Sequence, residues 1–264
     1  MTKLGLALAG LATAALLSGC GGNDDSGGGS ADSPAGSSAG SPAGSSAGSG
    51  GASTSGFAAR SAQQIADSAK ADMAKLDSLR VAGTLATSGS TITVDLQMDS
   101  DGDCTGSLST SQGKVELLGA GGRTWMKPDA TFWKGMAGAQ ADRVMQMVGD
   151  KWVVVPSSDR SFSQFCDSDQ LIKELVSDDQ SGATYSKSGS TSVDGQDVVK
   201  VDSKDSDGQT STGYVLVDDP HYLVKVEQTT GAEPGSVTFS DFNADVMAQA
   251  PAEGDTVDLS KLSG

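Results

Sequence analysis

Along residues 92–98, Ile92, Val94, Leu96 and Met98 alternate with Thr93, Asp95 and Gln97. A period of two puts every apolar side chain on one face of a strand. Just upstream, Leu79, Val81, Gly83 and Leu85 keep the same rhythm, and Ser88-Gly89-Ser90 supplies a turn between the two runs. Together they predict an antiparallel hairpin with one apolar face. Strand composition recurs at Cys104 to Thr110, Lys114 to Leu118, Arg123 to Lys127, Trp152 to Val155 and Thr184 to Lys187. It returns at Val198 to Val201, Gly213 to Val217, Tyr222 to Glu227 and Val237 to Asp241. Asp194-Gly195, Asp207-Gly208 and Asp218-Asp219-Pro220 mark turns. The helical period appears in Ser61 to Leu79, where Ala62, Ile65, Ala69, Met73 and Leu76 share a face and Ser61 with Gln64 forms a capping box. Thr131 to Val148 also reads as helix, weakened by Gly135 and Gly138. A short helix, Ser168 to Val176, uses Leu171, Ile172 and Leu175. About ten or eleven regularly spaced strands and about three helices predict an α+β fold with a largely antiparallel, meandering sheet.

The start of the chain obeys neither period. Lys3 precedes an uncharged apolar run, Leu4 to Leu17, too short for a permanent membrane span, and the run ends in Leu17-Ser18-Gly19-Cys20. This ending resembles the lipobox of bacterial lipoproteins. The resemblance implies a signal peptide over residues 1–19, cleavage before Cys20, and a diacylglyceryl anchor with palmitate-type chains on the Cys20 thiol. One acyl chain holds weakly and two hold stably, at about 0.8 kcal/mol per buried methylene. The expected location is the cell membrane, lipid-anchored, on its extracytoplasmic face. Residues 20–56 hold that cysteine and a tether with SPAGSSAG in tandem from Ser33 to Gly48. From Gly21 to Gly56 there is no aromatic residue, leucine, isoleucine or valine, so no core can form there. Its end-to-end reach is roughly 30–35 Å. Residues 57–264 are left for one globular domain.

With 34 acidic and 18 basic residues the formal charge is −16, which repels phosphate backbones and excludes nucleic acid as a partner. The single histidine, His221, reads as a solvated turn residue and cannot build a multi-histidine metal site. Asp99, Asp101 and Asp103 surround Gly102, but the glycine sits fourth and Thr110 stands where a calcium loop needs glutamate, so this is an acidic turn. No nucleophile elbow, zinc motif or phosphate loop occurs. The expectation is no catalytic residue, no metal and no cofactor. With Cys20 committed to lipid, Cys104 and Cys166 remain as an even pair in an oxidising compartment, and a disulfide between them is expected. Trp125, Trp133, Trp152 and Phe132 read first as core and second as the lining of an apolar cavity.

From Ala58 to Leu262 the order of elements resembles the actinobacterial lipoproteins of the LppX/LprG type, which share a half-barrel with the LolA/LolB carriers. The resemblance rests on Ser78, Val81 and Gly83, on the Val193-Asp194-Gly195-Gln196 turn, on Val237-Thr238-Phe239-Ser240-Asp241-Phe242, and on Pro251. It implies a curved sheet closed by helices over an apolar cavity, and a lipid or glycolipid as ligand. On this reading Ile92, Val94, Leu96, Met98, Val115 and Leu117 form the concave face. The Cys104–Cys166 pair is not expected throughout the family and marks a subgroup. The leading expectation is a monomeric carrier or sensor of hydrophobic ligands. The alternative is a structural or protein-interaction lipoprotein whose half-barrel is filled by its own side chains.

Overall fold

A computed structural model describes residues 54–262 except 88–89, 177–182, 206–207, 229 and 231–233. The segment read as a signal peptide, Cys20 with the residues that resemble a lipobox, and the tandem repeat lie outside the described residues. The alternation around residue 90 builds strands β1 (Ser78–Thr87) and β2 (Ser90–Asp99). They pair antiparallel, with Leu79 opposite Met98, Val81 opposite Leu96 and Leu85 opposite Ile92. Strands β3 (Cys104–Thr110), β4 (Gly113–Ala120), β5 (Arg123–Pro128) and β6 (Trp152–Val155) continue outward from β2 as an antiparallel meander. A second meander runs through β7 (Thr184–Val193), β8 (Gln196–Lys204), β9 (Thr210–Leu216), β10 (Leu223–Gln228) and β11 (Gly235–Ser240). It rejoins the first where β11 pairs antiparallel with β1. Finally β12 (Thr256–Val257) adds to β6 in parallel. Among the described residues this gives one 12-stranded open sheet, in the order β12-β6-β5-β4-β3-β2-β1-β11-β10-β9-β8-β7.

Two glycines let the strands of this sheet come so close. A Cβ at Gly83 would lie 2.1 Å from the Ser236 carbonyl oxygen, and one at Gly106, whose φ is +149°, would lie 2.1 Å from that of Asp95. Glycine inside a strand is the usual device for a tight bend or close backbone approach. The Asp194-Gly195 turn joins β7 to β8 with φ values of 49° and 81°, the left-handed pair that a two-residue hairpin demands.

Helices cover one face, called here the inner face. Helix α1 (Thr54–Ala58) and helix α2 (Ala62–Met73) lie over the second meander, where Phe57, Ile65 and Ala69 pack against Val199, Val201, Val215 and Val217. The capping box forms: the Ser61 hydroxyl accepts from the Gln64 backbone N–H, and the Gln64 side chain accepts from the Ser61 N–H. The helix expected over Thr131 to Val148 is broken into α3 (Ala130–Ala137) and α4 (Ala141–Val148). The break falls at Gly138, whose φ of 52° no right-handed helix can hold. Helices α5 (Arg160–Ser163) and α6 (Ser168–Val176) follow β6. The described residues thus carry six α-helices where three were read, through this split and the short α1 and α5. The strand count rises to 12 through β12, which is two residues long.

Residues 241–255 cross the outer face of the sheet. The Asn243 N–H donates to the Ser78 carbonyl, the Asp77 N–H donates to the Asn243 side chain, and the Ser78 hydroxyl donates to the Ala244 carbonyl. Further along, Ala248 rests against the cluster of Leu118, Trp125 and Trp152. His221 is less solvated than its turn suggested. Its ring stacks on Phe57 at 3.6 Å, and its backbone N–H donates to the Asp72 carboxylate.

Candidate functional site

The six residues assigned to the concave face all lie on the inner face, and strand register makes them neighbours. Val94 faces Leu108, which faces Val115; Leu96 faces Gly106, which faces Leu117; Met98 faces Cys104. They form one apolar patch across β2, β3 and β4, with Leu108 and Gly106 as its middle row. Leu96 and Leu117 are 1 % exposed, Met98 3 % and Val115 4 %, while Ile92 and Val94 are half-buried. The patch is therefore closed at the Met98 end and less covered toward Ile92.

The cover is made by α5, α6 and α3. Phe132, Phe162, Phe165, Leu171, Ile172 and Leu175 pack on the same cluster as Leu79, Val81, Leu96 and Leu117. A disulfide joins Cys166, just before α6, to Cys104 in β3, with Cα atoms 5.3 Å apart. It ties the helical cover to the floor of the patch. Asp167 then caps α6, its carboxylate accepting from the Gln170 N–H at 2.9 Å.

Charges keep to the other face, because they alternate with the inward residues. Arg80 and Asp95 make a bidentate pair at 2.8 and 2.9 Å, and the hydrogen bond from Arg80 holds the Asp95 carboxyl below the usual range. Tyr214 donates to Glu227, which also pairs with Lys225; accepting that hydrogen bond, Glu227 pushes the phenol up to about 12. These groups neutralise one another on an open sheet surface. Among the described residues no cluster of three or more His, Cys, Asp or Glu could hold a metal ion. Nor is any described helix long and apolar enough to cross a membrane.

A hollow of about 740 Å³ lies at the other edge of the cover. Thr124 and Val155 contribute from β5 and β6, Ser163, Gln164, Asp167 and Gln170 from the α5–α6 segment, and Asp258 from beyond β12. A second hollow of about 440 Å³ lies along the first meander, lined by Arg80, Asp95, Gln97, Lys114 and Glu116 together with Leu117 and Trp152.

Among solved structures, LprF from Mycobacterium bovis matches with a TM-score of 0.52, covering 72 % of this chain and 97 % of that one at 16 % identity. The chain shares the fold of LprF. The lipoprotein LppX of Mycobacterium tuberculosis matches at a TM-score of 0.47 and 15 % identity, covering 71 % of this chain and 98 % of that one. No protein-family model matches the chain, and no curated protein matches it significantly. The LprF fold is the LppX/LprG-type architecture that the order of elements resembled. Within it, alternation located the patch but not the residues that complete it. Leu79, Val81 and Phe239 were readable as inward positions of their own strands, and nothing in the sequence linked them to Phe162 and Phe165 on the cover. The polar hollow had no sequence signal, because its walls come from four separate stretches of chain.

Proposed function

We propose that the protein is a membrane-anchored extracytoplasmic lipoprotein that binds a hydrophobic ligand, a lipid or glycolipid, against the inner face of its sheet. One observation carries this reading. The apolar rows on β1, β2 and β11 are less deeply buried toward one end, where Ile92, Val94 and Val237 are only half-buried. Half-buried apolar side chains at the rim of a buried patch give an acyl chain apolar surface on which to begin its burial. Met98 and Met126 in the same cluster are flexible thioether side chains that repack readily around an acyl chain. Burial of an acyl chain against Ile92, Val94, Leu96, Met98, Val115 and Leu117 would be reversible, with no covalent step. Cys20 would carry the diacylglyceryl anchor, and the segment after it would hold a monomeric domain off the membrane.

The second reading is a half-barrel filled by its own side chains, serving as a structural or protein-interaction module. The near-complete burial of Leu96 and Leu117 favours it. Native mass spectrometry of the whole chain from its own host membranes, followed by lipid extraction, separates the two. Lipid in stoichiometric amount supports ligand binding, and its repeated absence leaves the filled module. A covalent diacylglyceryl mass on Cys20, lost together with membrane attachment in Cys20→Ala, tests the anchor independently.

A further inference from the structure

The break at Gly138 turns residues 130–148 into a hairpin of α3 and α4, and the inward positions of both helices are spent on the domain itself. Trp133, Ala141 and Val148 are buried with Val153, and Ala137, Val144 and Met145 pack half-buried against them. Met136 and Met147 are left over. They are 60 % and 50 % exposed, on helices that otherwise turn their apolar side chains inward. On α4, Met147 stands four residues after Arg143, so the two share one stripe. Lys134 before the turn and Lys151 beyond α4 are exposed as well. From Gly135 to Ala141 the turn of the hairpin carries no charge. Between Lys134 and Lys151 basic side chains outnumber acidic ones three to two, whereas over the rest of the chain acidic ones lead by more than two to one.

We infer that this hairpin is the surface by which the tethered domain rests on an anionic lipid bilayer. The inference rests on the Cys20 anchor of the reading above and goes beyond it in giving the anchored domain an orientation. A body of net charge −16 held near an anionic leaflet is repelled, and it lies lowest in energy with a less acidic side toward the lipid. The tether read from the sequence, with a reach of roughly 30–35 Å, keeps that side at high effective concentration beside the membrane. Lys134, Arg143 and Lys151 have stems that lie along apolar surface while their heads reach lipid phosphates. Met136 and Met147, unbranched and pliable, suit the boundary between headgroups and acyl chains. Asp142 stands in the first turn of α4, where the positive end of the helix offsets its charge. Met247 is 86 % exposed too, but it belongs to the segment that crosses the outer face, behind the sheet. Docking through the hairpin leaves it in water.

The whole lipidated chain is reconstituted into vesicles of dioleoylphosphatidylcholine, alone or mixed with an equal part of dioleoylphosphatidylglycerol, and treated with dilute hydrogen peroxide. Peptide mass spectrometry reads the sulfoxide formed at each methionine. With the anionic lipid present, oxidation of Met136 and Met147 should slow about tenfold, and that of Met247 should not change. Lys134→Gln/Arg143→Gln/Lys151→Gln should abolish the protection, as should high salt on the unaltered chain, while Met73 and Met98 stay unreactive in the core. Equal rates on the two kinds of vesicle, or slowing of Met247 by the same factor, overturn the docking surface and leave the anchor standing. Protection that grows with protein density and not with the anionic lipid assigns the hairpin to a second copy of the chain and overturns the lipid surface. Flotation of the same vesicles tests the anchor by itself. A chain that floats with neither kind contradicts both readings, and one that floats only with the anionic vesicles contradicts the anchor and supports the docking surface.

Discussion

Breaking the Cys104–Cys166 bond should destabilise the domain by an amount that its loop length sets. The two cysteines are 62 residues apart in sequence. In the chain-entropy treatment, closing a loop of that size removes about 14 cal/mol/K from the unfolded chain, or about 4 kcal/mol at 25 °C. For a domain of this size that corresponds to a fall in melting temperature of roughly 8–16 °C. The assay is urea unfolding of Cys104→Ala, Cys166→Ala and the double variant, followed by far-ultraviolet circular dichroism. Because either substitution opens the same loop, each single variant should lose about 4 kcal/mol and the double variant hardly more. The reasoning is refuted if a single variant loses less than about 1 kcal/mol. It is equally refuted if the double variant costs the sum of the singles, for then packing around each buried sulphur, and not loop closure, is what the bond contributes.

Gly106→Ala should cost about 3 kcal/mol or more, since its Cβ would meet the Asp95 carbonyl oxygen at 2.1 Å with φ at +149°; thermal unfolding measures this, and a neutral result would show that the strands are not held so close. Asp129 caps α3 by accepting from the Phe132 N–H at 2.7 Å, so Asp129→Ala should lose about 1 kcal/mol near pH 7. That hydrogen bond holds the Asp129 carboxyl below its ordinary value, so its contribution is complete above the unfolded carboxylate range and lost as pH falls through the lowered folded value. The difference between wild type and Asp129→Ala should therefore shrink on acidification, and a constant difference down to about pH 2 would contradict it. The Tyr214 phenol, accepted by Glu227, is pushed up to about 12, so the bond's contribution is complete below about pH 10 and lost as pH rises through about 12. Ultraviolet titration should show a late phenol that Tyr214→Phe removes; three phenols ionising together near pH 10 would refute the pairing.

The hairpin of β1 and β2 was legible because one face is buried and the other wet, so each residue reports its side. Strand β7 was legible only in part. Its second half, Ser188 to Ser192, is small, polar and exposed at the sheet edge, where burial imposes no pattern. Strand β12 was invisible because two residues carry no period, and its place on β6 is decided by where residues 241–255 run across the outer face. The Thr131 to Val148 segment reads as one helix weakened by Gly135 and Gly138, and it is Gly138 that divides it. The same division of labour holds at the candidate site. Alternation on β2 and β4 reveals which side chains point inward, because that follows from the local period. The depth of their burial, the aromatic cover and the polar hollow are set by contacts between distant segments, on which local periodicity is silent.

The junction of β1 with β11 has a consequence for how the molecule comes into being. Its two partners are nearly the first and the last long strands to be made, with Arg80 opposite Ser240. Until β11 has been made, β1 presents a bare row of amide and carbonyl groups on that side, and residues 241–255, which brace the sheet from behind, do not yet exist. Assembly of the two halves is therefore an ending and not a beginning, of the slow, long-range kind. Until that pairing closes, the unfinished border of β1 is open to pairing with neighbouring chains.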